Sequence, residues 1–177
     1  MTGTPQTRAE LTATTPDEMH ELGKRLGRVL RAGDIVILTG PLGAGKTTLT
    51  RGIGEGLGVR GPVQSPTFVI ARTHPSLIGG APLVHVDAYR LADAAELDDL
   101  DIDVDRSVVV AEWGAGFDLE RESWLEIVIA RPTGAGDAVD GPAAESTDDS
   151  VDWSEAPVEP RHITLLGFGE RWSEGVL

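Results

Sequence analysis

The sequence predicts an α/β fold, and three observations predict it. Strand-like apolar runs alternate with helix-competent stretches along the chain. One of those runs, Ile35-Val36-Ile37-Leu38, leads into the complete pattern Gly-x-x-x-x-Gly-Lys-Thr from Gly40 to Thr47, and a helix-competent segment, Thr47 to Leu57, follows it. Two further runs, "PLVHVD" and "SVVVAE", each end in an acid, Asp87 and Glu112.

The elements follow in order. Residues 1–13 are polar and are expected to form a loose, disordered tail. Thr15-Pro16-Asp17-Glu18 reads as a helix start: Thr15 can cap, Pro16 suits the first helical position, and Glu18 completes a capping box. Met19, Leu22, Leu26, Val29 and Leu30 fall on one face of that helix, which stops near Gly33. After the glycine-rich loop the next helix contains Gly52, Gly54 and Gly56 and runs out at Gly58. Each glycine costs up to about 1 kcal/mol against alanine in a helix interior, so the helix should be short or supported by packing.

Thr67 to Ile70 is strand-like, after two prolines that favour extended backbone before them. A loop and a strand, Leu83 to Val86, come next. A short capped helix is expected from about Asp93, then strands over Val108–Ala111, Trp124–Ala130 and His162–Phe168.

Residues 131–160 are of a different kind. They hold eight acids against one base, Arg131, with four prolines and three glycines. Such a composition cannot bury enough apolar surface to order itself. It reads as a disordered acidic insertion within one domain spanning 1–177. The alternative is a docking segment that uses Trp153.

Composition narrows the function. The formal net charge is -14, from 29 acids and 15 bases, which argues against stand-alone nucleic-acid binding, since that needs basic residues to displace counterions. There is no cysteine, which excludes disulfides, zinc-thiolate sites and a thiol nucleophile. No apolar run approaches membrane-spanning length and the N-terminus lacks a signal peptide's regions, so a cytoplasmic location is the expectation. The chain has no asparagine, hence no Asn-Lys-x-Asp guanine-recognition motif, which favours ATP over GTP.

A strand–loop–helix context turns the Gly40–Thr47 pattern into a phosphate-binding loop. Gly43 and Gly45 let the backbone curl round an anion, and the following helix adds its positive end. Lys46 should reach the terminal phosphates and face solvent in the empty protein, and the Thr47 hydroxyl should coordinate Mg²⁺. Pro41 has no N–H to donate, but it sits at the loop's entry. Asp87 and Glu112 supply the acids a Mg²⁺–nucleotide site needs at strand ends. One would hold the metal and the other position the attacking water, and the residues alone do not assign which. Trp113, directly after Glu112, is an interface or core anchor or packs on the ligand. Ser65-Pro66-Thr67 is a candidate sensor loop.

Together "GPLGAGKTTLTRGIGEGLG", "SPTF", "HVDAYRL" and "AEW", in this order and at compatible spacing, resemble the bacterial TsaE (YjeE) family of ATPases. The resemblance runs continuously from about Thr14 to Trp113 and resumes near Arg161. It implies a P-loop NTPase-type sheet, largely parallel with antiparallel additions and helices on both faces. It also implies that Thr47 and Glu112 hold Mg²⁺, and that Asp87 and Lys46 stand at the catalytic centre. The nucleotide would be held by Gly43, Ala44, Gly45, Lys46, Thr47 and Thr48, with Trp113 close by, Thr15 and Pro16 near the adenine end, and Arg161 matching a late family arginine. One departure is Pro41, where the family usually carries an acid.

The function implied is ATP binding and hydrolysis with two protein partners, TsaB and TsaD, in the biosynthesis of tRNA threonylcarbamoyladenosine. An acidic ATPase in such a complex need not grip tRNA itself. Two alternatives remain open on the residues: a small-molecule or nucleotide kinase, and a non-hydrolysing ATP-sensing module. A kinase usually brings basic residues to clamp a second phosphate-bearing substrate. Here the chain offers scattered arginines such as Arg72, Arg90 and Arg106.

Overall fold

The computed structural model describes residues 3–66, 69–90, 102–112, 121–132 and 159–177. Among the described residues, seven strands and two α-helices run in the order β1 (Thr7–Ala13), α1 (Pro16–Val29), β2 (Ile35–Thr39), α2 (Lys46–Leu57), β3 (Ala71–His74), β4 (Leu83–Asp87), β5 (Val108–Glu112), β6 (Trp124–Ala130) and β7 (Arg161–Phe168). One sheet contains all seven strands, in the order β1-β7-β6-β2-β5-β4-β3. Its centre is parallel: β2 pairs with β5 and β6, and β4 with β5. Antiparallel strands extend it at both sides, β7 and β1 on one, β3 on the other.

The strands carrying the chemistry are short apolar runs, because a parallel centre is buried on both faces. Ile35, Val36, Ile37 and Leu38 of β2 and Val108 to Ala111 of β5 are all buried. Alternate residues feed two cores. Val36, Leu38, Val108, Val110, Leu125 and Ile127 pack with Met19, Leu22 and Leu26 of α1 and Leu49, Ile53 and Leu57 of α2. Ile35, Ile37, Val84, Val86 and Val109 face the other way, against Ile70, Ile102 and Val104.

Both α-helices among the described residues pack on one face of the sheet, and the short turn of helix Val104–Arg106 packs Val104 against the other. The short helix expected near Asp93 falls on residues 91–101, outside the described residues.

The start of α1 is as the sequence predicts. Thr15 Oγ1 accepts from the Glu18 N–H at 3.1 Å with Pro16 in the first turn. The return contact is shifted by one residue, since the Glu18 carboxylate takes the Thr14 N–H and hydroxyl. The Thr14 hydroxyl, then its N–H, hold the Glu18 carboxyl below its usual range. Val29, expected on the apolar face, stays exposed, and Leu30 closes the core behind it.

The glycines of α2 have a packing reason. A β-carbon on Gly52 would stand 2.2 Å from the His20 carbonyl oxygen, and one on Gly23 of α1 would stand 2.3 Å from that of Leu49. Side-chain-free positions let the two helices touch backbone to backbone, which offsets their poor helix propensity.

Two expectations are corrected. The loose tail of residues 1–13 contains an edge strand: β1 pairs residue by residue with β7, from Thr7↔Gly167 to Ala13↔Arg161. Its alternation is real but faint, with Ala9, Leu11 and Ala13 turned inward and Arg8, Glu10 and Thr12 outward. Charged outward residues are usual on a sheet edge. The strand expected over 67–70 begins instead at Ala71. Val69 donates its N–H to the Pro66 carbonyl at 3.1 Å and not to a neighbouring strand; residues 67–68 lie outside the described residues.

The acidic insertion falls mostly on 133–158, also outside the described residues. Its two stems are adjacent, because Ala130 pairs with His162 across the antiparallel β6–β7 pair. A short Gly-Ser linker in place of residues 133–158 is therefore expected to leave the fold and nucleotide binding intact. A melting temperature lowered by many degrees would show that the segment packs.

Candidate functional site

The loop between β2 and α2 turns back on itself at Gly43 (φ 72°) and Gly45 (φ 103°), left-handed conformations that a β-carbon disfavours. Ala44 is buried beneath it and donates its N–H to the Pro41 carbonyl at 3.1 Å. Helix α2 starts at Gly45 with no side-chain cap and no acid in its first turn. That leaves first-turn N–H groups and the positive end of the helix dipole turned towards the loop, the arrangement that suits an anion.

The carboxyl ends of β4 and β5 lie alongside. Asp87 and Glu112 are register partners on these neighbouring parallel strands, which explains how two acids 25 positions apart meet. Together with Leu42, Gly43, Gly45, Lys46, Thr47, Thr48, Ser65 and Pro66 they line one cleft of about 430 Å³. The structure thus brings most of the sequence-predicted site into a single hollow. A wider hollow of about 750 Å³, lined by Ala32, Gly79, Pro82, Asp103 and Ser107 among others, lies at the amino ends of β4 and β5, away from these residues.

Lys46 differs from expectation. It is 5% exposed, not solvent-facing, and its Nζ donates to the carbonyls of Gly40 at 2.8 Å and Pro41 at 2.9 Å. The loop's own oxygens thus hold the ammonium at the edge of the cleft. Burial pulls its pKa below the usual lysine value, and the charge of Glu112 opposes that pull.

Among the described residues, Thr15, Pro16 and Arg161 are not in the cleft lining. Thr15 and Pro16 open α1, one turn before Met19, whose methyl carbon lies 3.4 Å from where a Gly45 β-carbon would sit. Arg161 begins β7 and donates to the Glu159 carbonyl at 2.8 Å. Trp113 and Thr67 lie outside the described residues.

Two residues that sequence reasoning left without a role now stand beside the site. His85 is fully buried on β4, and its Nε2 lies 2.8 Å from Glu112 Oε1. Strand period places it two residues before Asp87 and on the same face, which is the signal that could have found it. Arg131 follows β6. One of its guanidinium nitrogens lies 3.8 Å from the position of a Gly43 β-carbon, while the other donates to Glu159 at 3.1 Å. No motif marks it.

The family model described as "Threonylcarbamoyl adenosine biosynthesis protein TsaE" matches residues 13–136. The chain belongs to the TsaE family. It is 55% identical over 159 residues to the tRNA threonylcarbamoyladenosine biosynthesis protein TsaE of Streptomyces coelicolor, covering 88% of this chain and 94% of that relative. The Bacillus subtilis protein of the same name is 39% identical over 126 residues, covering 69% of this chain and 75% of the relative. Among solved structures, the crystal structure of Bacillus subtilis YdiB superposes with a TM-score of 0.62 at 28% identity, covering 93% of this chain and 88% of that one. The TsaE match takes in the glycine-rich loop, Asp87 and Glu112, while Arg161 lies beyond its end.

Proposed function

We propose that the chain is the Mg²⁺-dependent ATP-binding and ATP-hydrolysing subunit of the tRNA threonylcarbamoyladenosine machinery, acting with TsaB and TsaD. One observation carries this reading: Thr47, Asp87 and Glu112 share a cleft with an uncapped helix start and a left-handed glycine loop.

The donor set fits the metal. Among the described residues no cluster of three or more His, Cys, Asp or Glu side chains cages an ion. Mg²⁺ is usually held by one or two carboxylates while phosphates and water complete its shell, and the oxygens of Thr47 and Glu112 meet that demand. The phosphates would lie against the first-turn N–H groups of α2, with Lys46 moving from the Gly40 and Pro41 carbonyls to their oxygens. Mg²⁺ bound there would neutralise charge developing on the transferred phosphoryl group. Asp87, in register beside Glu112, would orient the attacking water.

Glu112→Gln is expected to shift the Mg²⁺ requirement to higher concentration. Asp87→Asn is expected to lower turnover by about 10²-fold or more at saturating Mg²⁺, the scale of lost general-base assistance. Each exchange keeps size and removes charge. Titration of Mg²⁺ against ATP turnover checks both, and wild-type curves for the two variants would dismiss the two-acid site.

A further inference from the structure

We propose that His85 is a positioning residue that holds the Glu112 carboxylate in the orientation that receives the metal. The inference rests on the reading of Glu112 as a Mg²⁺ ligand.

A histidine at this place needs a reason. Its neighbours on β4, Leu83, Val84 and Val86, are all buried and apolar, and His85 itself is 0% exposed. A buried polar ring costs stability unless it is hydrogen-bonded, so packing alone would favour an aliphatic residue there. The ring is bonded. Nε2 meets Glu112 Oε1 at 2.8 Å, and Nδ1 lies 3.3 Å from the Gln64 carbonyl oxygen, just before Ser65 and Pro66 in the cleft wall.

Geometry makes the link directional. Glu112 has three rotatable side-chain bonds and sits at a strand end, where nothing in its own strand fixes its carboxylate. A hydrogen bond from Nε2–H to Oε1 fixes the carboxylate plane and leaves Oε2 as the second oxygen. The Gln64 side-chain oxygen beside the ring accepts from Arg72 at 2.6 Å. Outer partners of this kind set ligand orientation, and their loss typically costs about 10–100-fold in metal affinity.

The test compares nucleotide affinity with Mg²⁺ and with chelator, measured by calorimetry with ADP, for the wild type, His85→Gln, His85→Asn and Glu112→Gln. A glutamine places its amide nitrogen near Nε2 and can still donate to Glu112; an asparagine is too short. His85→Asn is expected to weaken the Mg²⁺-dependent part of binding by about 10–100-fold, with affinity in chelator unchanged, and His85→Gln to recover most of the loss. Melting curves without Mg²⁺ separate this from unfolding. A merely structural histidine would give two amide variants with the same Mg²⁺ dependence, and that result overturns the proposal. If Glu112→Gln also keeps the wild-type Mg²⁺ dependence, the metal-site reading fails before the role of His85 is reached. Loss in Glu112→Gln with none in His85→Asn leaves that reading standing and sinks this inference alone.

Discussion

Replacing Lys46 by alanine is expected to cut Mg²⁺–ATP turnover by about 10²–10³-fold, the scale of losing one preorganised charge at a developing anion. That corresponds to about 3–4 kcal/mol of transition-state stabilisation. The effect on the fold should be much smaller, although Lys46 is buried. Its ammonium is bonded to two carbonyls, Gly40 and Pro41, at the cleft edge. Removing it frees those carbonyls to water and relieves a desolvated charge, whose depressed pKa records the penalty. Packing of the aliphatic stem is lost as well. Lys46→Met keeps the stem and drops the charge, so it separates the two contributions. Turnover should collapse in both variants, while the methionine protein melts close to the wild type. A methionine variant with turnover within a few-fold of wild type would remove Lys46 from the phosphate site.

The burial of Lys46 illustrates where sequence stops. Its place in the motif is legible, but its bonds to the Gly40 and Pro41 carbonyls are not, since no pattern encodes which backbone oxygens a buried lysine meets. The strand-end acids were readable because an apolar run that stops at an acid marks both a buried strand and its exit. Asp87 and Glu112 both follow that rule, and β6 begins and ends at Trp124 and Ala130, the bounds expected from the sequence. Helix α1 was readable from its cap and its stripe.

What escaped depends on partners distant in the chain. β1 is a strand because β7, more than 150 positions later, offers it an edge; alone, "TRAELTA" is a weak and polar alternation. His85 gains its role from Glu112, 27 positions on, through a parallel register that only the folded sheet supplies. Gly52 and Gly56 of α2 look like helix breakers until α1 is placed against them. In each case the local signal is small and the tertiary contact decides.

The isolated protein is expected to hydrolyse ATP slowly, and association with TsaB and TsaD to raise its turnover. The cleft has its loop, lysine and acids, but among the described residues no guanidinium lines it. Arg51, close in sequence, spends its Nε–H on the Val63 carbonyl at 3.1 Å, and Arg72 is bonded to Gln64. Arg131 comes within 3.8 Å of the position of a Gly43 β-carbon, yet it is paired with Glu159. In phosphate-loop enzymes an arginine brought to the transferred phosphate, in cis or from a partner, is worth about 10³–10⁵ in rate. A partner that supplies this charge, or that draws one of these arginines inward, should therefore produce a rise of that order at most. With a formal net charge of -14 the chain should meet a basic face, so complex formation should weaken as salt screens the attraction. Steady-state turnover is measured with and without the TsaB–TsaD pair, at low and high ionic strength, for the wild type and Arg131→Ala. Stimulation that survives Arg131→Ala and fades with salt supports a charge supplied by the partner. Fast turnover by the protein alone, unchanged by partners and lost in Arg131→Ala, would place the arginine in cis and refute partner dependence.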